Sequence, residues 1–459
     1  MRLTNILRRQ TRDQAMPDTP QIKGSAAPTI PASYNLSWRL LRPFAGLILR
    51  RRAAKGKEDK TRLGERLGVY RHVPTFKQGA IWLHAVSVGE TVAALALIEA
   101  IAKKQPDTHF LVTTNTVTAA KLVADNAISA TITHLYQPLD HPDCVSRFLA
   151  ATAPSAAIFM ESDFWPNLIA RTAASGIPVI FASSQLSDRA FARWQNHHKL
   201  ATAVFANASM ALPVDINQAN RLQQLGVAKD GIHVIGSLKV PGALATDATL
   251  IAQLEAMRGT RHLLLAASTH EGEDEAVLQA ATALGDDWCV LIAPRHPERG
   301  PAIARLSATH GLTAKRRGAG QQPEPGDRLY IVDTLGEMGS LFAVADVVFL
   351  GGSLRPYGGH NPIEPARFGL PLITGPHIAK NSDEFARLTA LGAVRTITDD
   401  TERNGGNALA DAANASLADR HNHPQLADTI KAYAQEAGKR AANAADYILD
   451  LLDTGPARQ

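Results

Sequence analysis

The chain has 459 residues, 45% of them apolar and 20% charged, a composition that excludes disorder for most of its length and requires more than one hydrophobic core. Its two cysteines, Cys144 and Cys289, are too few for a disulfide framework or a zinc knuckle, so a reducing cytoplasm is the expected home. The net charge of +5 is uneven, since residues 1 to 73 hold 16 Lys and Arg against 5 Asp and Glu, leaving 32 against 38 for the rest.

Residues 1–32 open on a basic amphipathic turn (Leu3, Ile6, Leu7, Arg8, Arg9) and become a Pro-, Ser- and Ala-rich tail without a signal-peptide core, which predicts a disordered, unexported tail. Residues 33–66 carry Trp38, Leu40, Leu41, Phe44, Leu47, Ile48 and Leu49, followed by Arg50, Arg51 and Arg52. Arg39, Arg42 and Pro43 interrupt that apolar segment, which falls short of a secure span of about 20 residues. An interfacial helix on anionic lipid fits better, and is favoured over a nucleic-acid contact.

From Ala80 onward, short apolar runs alternate with helical patterns, the mark of βαβ units in a parallel sheet. The first set of predicted strands is Ala80–Ala85, Phe110–Thr114, Ile132–Leu135, Ala156–Met160, Val179–Ala182, Met210–Pro213 and His233–Ile235. A second set follows: Arg261–Ala267, Trp288–Ala293, Arg328–Val332, Val347–Leu350, Leu370–Ile373 and Val394–Ile397. The fold class is therefore α/β, two facing Rossmann-like doubly wound domains with a cleft between them. Residues 67–236 form the first domain, 237–245 a hinge and 246–424 the second, with a C-terminal helix and tail over 425–459 that packs back across the halves. Ligands of such sheets gather at the carboxyl ends of the strands.

Polar clusters sit just after predicted strands in both halves. They are His84 to Glu90, Glu161 to Asn167, Ser268 to Glu273, Pro294 to Arg299, Asp333 to Glu337 and the glycine-rich run Gly351 to Glu364. The last lets backbone N–H groups approach an anion closely, and a helix opening at Pro362 would add its positive end, which predicts a phosphate cradle. Asn361, Pro362 and Glu364 would equally make a helix cap on their own. Ser87-x-x-Glu90 and Thr334-x-x-Glu337 also match the capping box, so spacing alone leaves Glu90 open as cap or as general base. A helix N-terminus would lower its pKa, whereas burial or Glu161 would raise it. Arg295, with His296 and Arg299, suits a phosphate leaving group, and Lys239 suits a point charge at the hinge. Histidines are too dispersed for a metal site. Neither a Walker-type loop nor a Gly-x-Gly-x-x-Gly turn is present, which sets aside ATPase and dehydrogenase readings.

Over roughly residues 60 to 400, in one order, these motifs resemble the Kdo (3-deoxy-D-manno-octulosonic acid) transferases of lipopolysaccharide synthesis. Gly64-Glu65-Arg66, His84 to Glu90, Glu161 to Asn167, Gly236 to Lys239, Ser268 to Glu273, Pro294 to Arg299, Asp333 to Glu337, Gly351 to Glu364 and Gly375-Pro376-His377 carry the likeness. The resemblance implies a GT-B glycosyltransferase that moves Kdo from CMP-Kdo to a lipid A precursor of lipid IVA type. It further implies inversion at the anomeric carbon, no metal or other cofactor, and residence on the cytoplasmic face of the inner membrane. By motif it implies Glu90 as general base and Glu161 and Lys239 as transition-state stabilisers. Donor contacts would come from Pro294, Arg295, Leu335, Gly336, Glu337, Asn361, Pro362, Ile363 and Glu364. Ser87, Gly89, Asp163, Ser268, Thr269, His270, Gly352 and His360 are additional candidates. Departures are the Arg-interrupted anchor and Asp163, where the family often has Glu. The alternatives are a sugar-nucleotide epimerase of the same architecture and a non-catalytic membrane protein that holds a nucleotide sugar.

Overall fold

A computed structural model describes residues 29–70, 77–126, 131–240, 244–398 and 405–454. The predicted tail falls outside the described residues as far as residue 28, as do residues 241–243 of the hinge.

The first sheet contains β1 (Ile81–His84), β2 (Phe110–Thr114), β3 (Ile132–Tyr136), β4 (Ala156–Met160), β5 (Val179–Ser184) and β6 (Met210–Pro213), in the order β3-β2-β1-β4-β5-β6. Its pairings are all parallel. Helices cover both faces, so the strands carry unbroken apolar runs rather than an alternating pattern. The second sheet contains β7 (His262–Thr269), β8 (Trp288–Pro294), β9 (Ala314–Arg316), β10 (Leu329–Ile331), β11 (Val347–Leu350), β12 (Leu372–Thr374) and β13 (Val394–Thr396), in the order β13-β12-β11-β7-β8-β10-β9. The chain reverses its direction of travel across the sheet between β1 and β4 in one lobe and between β7 and β11 in the other. At those two switch points the loops diverge and leave a crevice.

Two expectations change. His233–Ile235 is not a sheet strand. Its amides reach the carbonyls of β6, His233 to Ala211 at 2.9 Å and Ile235 to Pro213 at 3.1 Å, but Pro213 has no N–H with which to answer. Conversely, β9 is a sheet edge made of Ala314, Lys315 and Arg316, too short and too polar to give an apolar signal.

The C-terminal helix Leu426–Thr454 is 29 residues long and belongs to both cores. Leu426, Ile430, Ala434 and Ala437 pack in the second lobe. Ala444, Ala445, Ile448 and Leu449 pack in the first, with Ala93, Ala94, Leu97 and Ile98 of the helix Val88–Lys104. Between the two halves lies Arg440, only 4% exposed. Its guanidinium pairs with Glu384 of the helix Ser382–Ala390, at 3.2 Å for one of the two contacts, and donates to the Ser237 carbonyl at 3.3 Å. Gly236, at φ +89°, leaves room for it, since a Cβ there would lie 2.5 Å from the Arg440 Nε.

The helix Ala32–Ala54 lies against the first lobe through Tyr34, whose hydroxyl donates to Asp140 at 2.8 Å, and through the Arg42–Asp143 pair at 3.1 Å. Asp140 is buried and also accepts the backbone N–H groups of Asn167 and Leu168. Leu36, Leu40, Leu41, Phe44, Leu47 and Ile48 remain exposed. Among the described residues, no helix is long and apolar enough to cross a membrane. Beyond this helix the chain becomes part of the lobe itself, because Glu58, Glu65 and Arg66 are buried and Arg66 donates to the Gln137 carbonyl at 2.5 Å.

Arg440→Met strands the Glu384 carboxylate in the interior, a loss typically of about 3–5 kcal/mol. The urea midpoint should fall accordingly, and adding Glu384→Met should recover part of the loss.

Candidate functional site

The strands at the first switch point deliver two acidic clusters. After β1, Ser87 caps the helix Val88–Lys104 by accepting the Glu90 amide at 3.3 Å, while the Glu90 carboxylate turns back to accept the Val86 amide at 2.6 Å. Glu90 is thus a cap and a half-exposed carboxylate at once. Burial raises its pKa above the ordinary value of 4.5; the Val86 N–H opposes this, and Glu161 adds to it. The competition left open by the sequence therefore goes to burial.

After β4, Glu161 sits at φ +55°, a left-handed conformation that a non-glycine residue adopts at a cost and that concentrates at functional sites. The Lys239 ammonium is 2.6 and 2.8 Å from its two carboxylate oxygens, and Gln185 donates to it at 3.1 Å. Gly89 brings its backbone beside the same lysine, with space for a Cβ only 3.2 Å from the Lys239 Cε. Asp163 accepts Trp165 Nε1–H at 2.6 Å and lies 2.7 Å from His84 Nε2. Trp82 Nε1–H donates to the Thr113 hydroxyl at 2.8 Å, and that oxygen is 2.8 Å from His84 Nδ1. With the Thr113 proton directed to Nδ1, His84 is the Nε2–H tautomer and donates to Asp163.

At the second switch point the first turn of the predicted phosphate cradle is already filled. Glu273 is fully buried, and its carboxylate accepts the amides of Gly352 at 2.7 Å, Ser353 at 2.9 Å, Leu354 at 2.9 Å and His270 at 2.9 Å. An internal carboxylate thus takes the place expected for a bound anion. The helix expected at Pro362 is four residues, Ile363–Ala366, too brief for a sizeable dipole. Asn361 Oδ1 accepts the Ile363 amide at 2.9 Å, so the cap holds without help from Glu364.

What this lobe presents is a group of side chains. The His270 ring stacks on Tyr357 at 4.1 Å and on His360 at 5.1 Å, with the two histidine Nε2 atoms 3.0 Å apart. Burial lowers the pKa of both histidines, to about 4 for His360, where His270, Arg295 and Lys380 act in the same direction. Gly352, at φ +68°, leaves space for the rings, since a Cβ would be 3.1 Å from the His360 Cδ2. Burial raises the pKa of Glu364, against the pull of Arg367 and Arg295. Arg295 is exposed, whereas Arg299 is taken up by Asp274 and by the Thr269 carbonyl at 3.1 Å, so it is not available to a leaving group.

The remaining predicted residues divide by burial. Thr269 bonds Asp274 at 2.8 Å inside the lobe, Ile363 is a core side chain and Pro294 ends β8. Ser268, at φ +56°, sits in the bulge where β7 shifts register against β8. Leu335 is 76% exposed beside Gly336 at φ +87°. Thr334 and Glu337 do not form the expected capping box, because the helix Met338–Val344 starts only after Glu337, and Glu337 bonds Arg317 at 2.7 Å and the Thr334 hydroxyl.

The two lobes meet at Lys239, whose ammonium is held by Glu161 and whose carbonyl accepts Asn361 Nδ2–H at 3.0 Å. Sequence reasoning passed over Gln185, Tyr357, Lys380 and the role of Glu273. Gln185 follows β5, and Tyr357 lies inside the glycine run, so strand-end placement was the available signal for both. Among the described residues, no group of three or more His, Cys, Asp or Glu side chains is placed to hold a metal ion.

Known proteins match this arrangement. Residues 61–241 fit the family model for 3-deoxy-D-manno-octulosonic-acid transferase. The 3-deoxy-D-manno-octulosonic acid transferase of Haemophilus influenzae is 30% identical over 416 residues, covering 89% of this chain and 94% of the relative. That of Bordetella pertussis is 33% identical over 375 residues, covering 78% and 86%. Among solved structures, the UDP-GlcNAc 2-epimerase of Neisseria meningitidis aligns over 81% of this chain and 100% of its own, with a TM-score of 0.51 at 11% identity. The calicheamicin glycosyltransferase CalG4 aligns over 83% and 100%, with a TM-score of 0.51 at 13% identity. These last two establish the two-lobed GT-B architecture alone, whereas the sequence relatives establish more: the chain belongs to the 3-deoxy-D-manno-octulosonic acid transferase family.

Proposed function

We propose that the chain transfers Kdo from CMP-Kdo to a hydroxyl of a lipid A precursor of lipid IVA type in lipopolysaccharide synthesis, with inversion and without a metal. The observation that carries this reading is Lys239, tied at once to Glu161 of the first switch point and to Asn361 of the second. A base in one lobe and a donor in the other then flank a single crevice.

In this scheme Glu90 takes the proton of the acceptor hydroxyl as its oxygen bonds to the anomeric carbon of Kdo. The bond from that carbon to the CMP phosphate breaks, and CMP leaves with the electron pair. Attack from the face opposite the leaving group inverts the centre. Lys239 and Arg295 stabilise the charge that builds on the departing phosphate. Glu161 fixes the lysine, and its own negative charge favours a positively charged anomeric centre. The raised pKa of Glu90 suits a general base, which works best with a pKa near the operating pH.

The exposed side chains of Leu40, Phe44 and Leu47, beside Arg50, Arg51 and Arg52, support docking on an anionic membrane surface, placed by this reading on the cytoplasmic side of the inner membrane. That surface is also where a lipid acceptor would be met.

Glu90→Gln should lower kcat by about 10²–10⁴-fold in an assay of CMP release with CMP-Kdo and the lipid precursor; unchanged turnover would remove the base assignment. CMP-Kdo turnover with no acceptor present would instead favour an epimerase. Because the carboxyl pKa is raised above 4.5 and the ionised form is the active one, kcat/KM should fall as pH drops through that raised value. The Glu90→Gln profile should lack this limb. For the membrane contact, Leu40→Asp with Phe44→Asp should release the protein from anionic liposomes, each apolar side chain contributing about 1.5–3 kcal/mol when fully buried. Undiminished co-sedimentation of this variant would rule the helix out as the docking element.

A further inference from the structure

The helix Pro166–Ala174 begins without a cap of its own. Its N-cap residue is Trp165, whose side chain makes no capping hydrogen bond, and Pro166 has no N–H to offer. The first free amides of a helix are costly when buried unpaired, and a Ser, Thr, Asp or Asn at the N-cap normally accepts them. Here a carboxylate from another segment does so. Asp140, in the loop between β3 and the helix Pro142–Thr152, accepts the Asn167 amide on Oδ2 at 3.0 Å and the Leu168 amide on Oδ1 at 2.7 Å, while its own carbonyl accepts the Asn167 side-chain N–H at 2.7 Å. That loop is fixed from behind, since the Leu139 amide donates to the Arg66 carbonyl at 2.7 Å.

The remaining donor comes from the interfacial helix. The Tyr34 hydroxyl donates to Asp140 Oδ2 at 2.8 Å, so one carboxylate, only 1% exposed, ties the helix Ala32–Ala54 to the start of the helix Pro166–Ala174. The loop from Glu161 to Trp165 ends at that start. At its other end the Glu161 amide donates to the Ala182 carbonyl of β5 at 2.9 Å. Between the two ends, Trp165 Nε1–H reaches back to Asp163 at 2.6 Å, on the same oxygen that faces His84. The left-handed backbone of Glu161, at φ +55°, persists only when its surroundings enforce it, and the loop has these two anchors with which to do so.

We propose that Tyr34 and Asp140 are positioning residues for the transfer: they hold the loop Glu161–Trp165 in its working geometry, so that the helix proposed to meet the bilayer also supports the active site. Both act through Asn167, Leu168 and Trp165 rather than through contact with a substrate. The inference rests on the reading of Glu161 as a catalytic group. Its consequence is that the seating of the interfacial helix and turnover are linked even where no membrane is present.

The test uses the full chain with the lipid precursor in detergent micelles, where there is no bilayer to dock on. CMP release is followed together with the indole N–H magnetic resonance of Trp165, assigned by its disappearance in Trp165→Phe. Tyr34→Phe removes a single oxygen. It should move that resonance and lower kcat roughly ten-fold, the factor expected for one hydrogen bond to a charged group, with KM for CMP-Kdo unchanged because this reading places the donor in the other lobe. Arg42→Ala breaks the exposed Arg42–Asp143 pair of the same helix without touching Asp140, and should change neither readout. A purely structural role would lower the melting temperature of Tyr34→Phe and leave both readouts where they are. With Glu161→Gln inactive, an unmoved resonance, an unchanged kcat or an equal effect from Arg42→Ala would overturn the positioning role. Full turnover by Glu161→Gln, with the Trp165 resonance still sensitive to Tyr34→Phe, would overturn the catalytic reading and leave the support of the loop standing.

Discussion

The architecture depends on a helix that has no lobe of its own. Leu426–Thr454 places one half of its apolar face in the second core and the other half in the first. Two lobes joined only by the strand-like segment near Gly236 would be free to adopt many mutual orientations, and each would place the switch points differently. The helix removes most of that freedom, and Arg440 defines where along it the lobes divide. A guanidinium that is 4% exposed is tolerable only because Glu384 neutralises it and Tyr433 and the Ser237 carbonyl satisfy its remaining donors. Buried pairs of this kind add little net stability compared with apolar packing, but they demand a single geometry. Here the geometry specified is the position of Gly236 to Lys239 against the second lobe, and Lys239 is the residue that both acid clusters and Asn361 meet.

Glu273 solves a second problem. A loop rich in glycine that follows a central strand exposes several N–H groups inside the protein, each costly if unpaired. In a nucleotide site of the cradle type the ligand satisfies them, and the empty site is left with unpaired donors. An internal carboxylate satisfies them permanently, so the loop and the histidine that follows β7 are ordered before any ligand arrives.

Much of this was readable from the residues. Unbroken apolar runs marked the central strands because both faces of each sheet are covered, and the polar clusters that end β1, β4, β7 and β11 are the ones the switch points bring forward. Failures occurred where the signal was not hydrophobic. β9 is polar because it is an edge, and the segment at His233 has strand-like residues but a proline for a neighbour. The first turn of the glycine run is closed although it reads as a cradle, because composition reports only that amides can be presented. Which acceptor meets them depends on Glu273, some 80 residues away in the chain. Long-range pairing of that kind leaves no trace in local spacing, and neither does the contact of Arg440 with Glu384.

Glu90 shows why spacing and chemistry need not compete. As a cap, the residue has to turn its carboxylate back over the first turn of its helix, and this is the conformation in which it accepts the Val86 amide. The same turn fixes the carboxylate at the end of β1, beside Glu161 and Asp163. A carboxylate fixed in this way has little side-chain entropy left to lose, and the capping bond that lowers its basicity is outweighed by burial and by neighbouring negative charge. Glu161 serves in both directions, since it raises the proton affinity of Glu90 while its own charge is matched by Lys239. Were Lys239 withdrawn, Glu161 would be left uncompensated beside Glu90, and the two carboxyls would then compete for protons, a coupling that ties the hinge lysine to the basicity of a residue it does not touch.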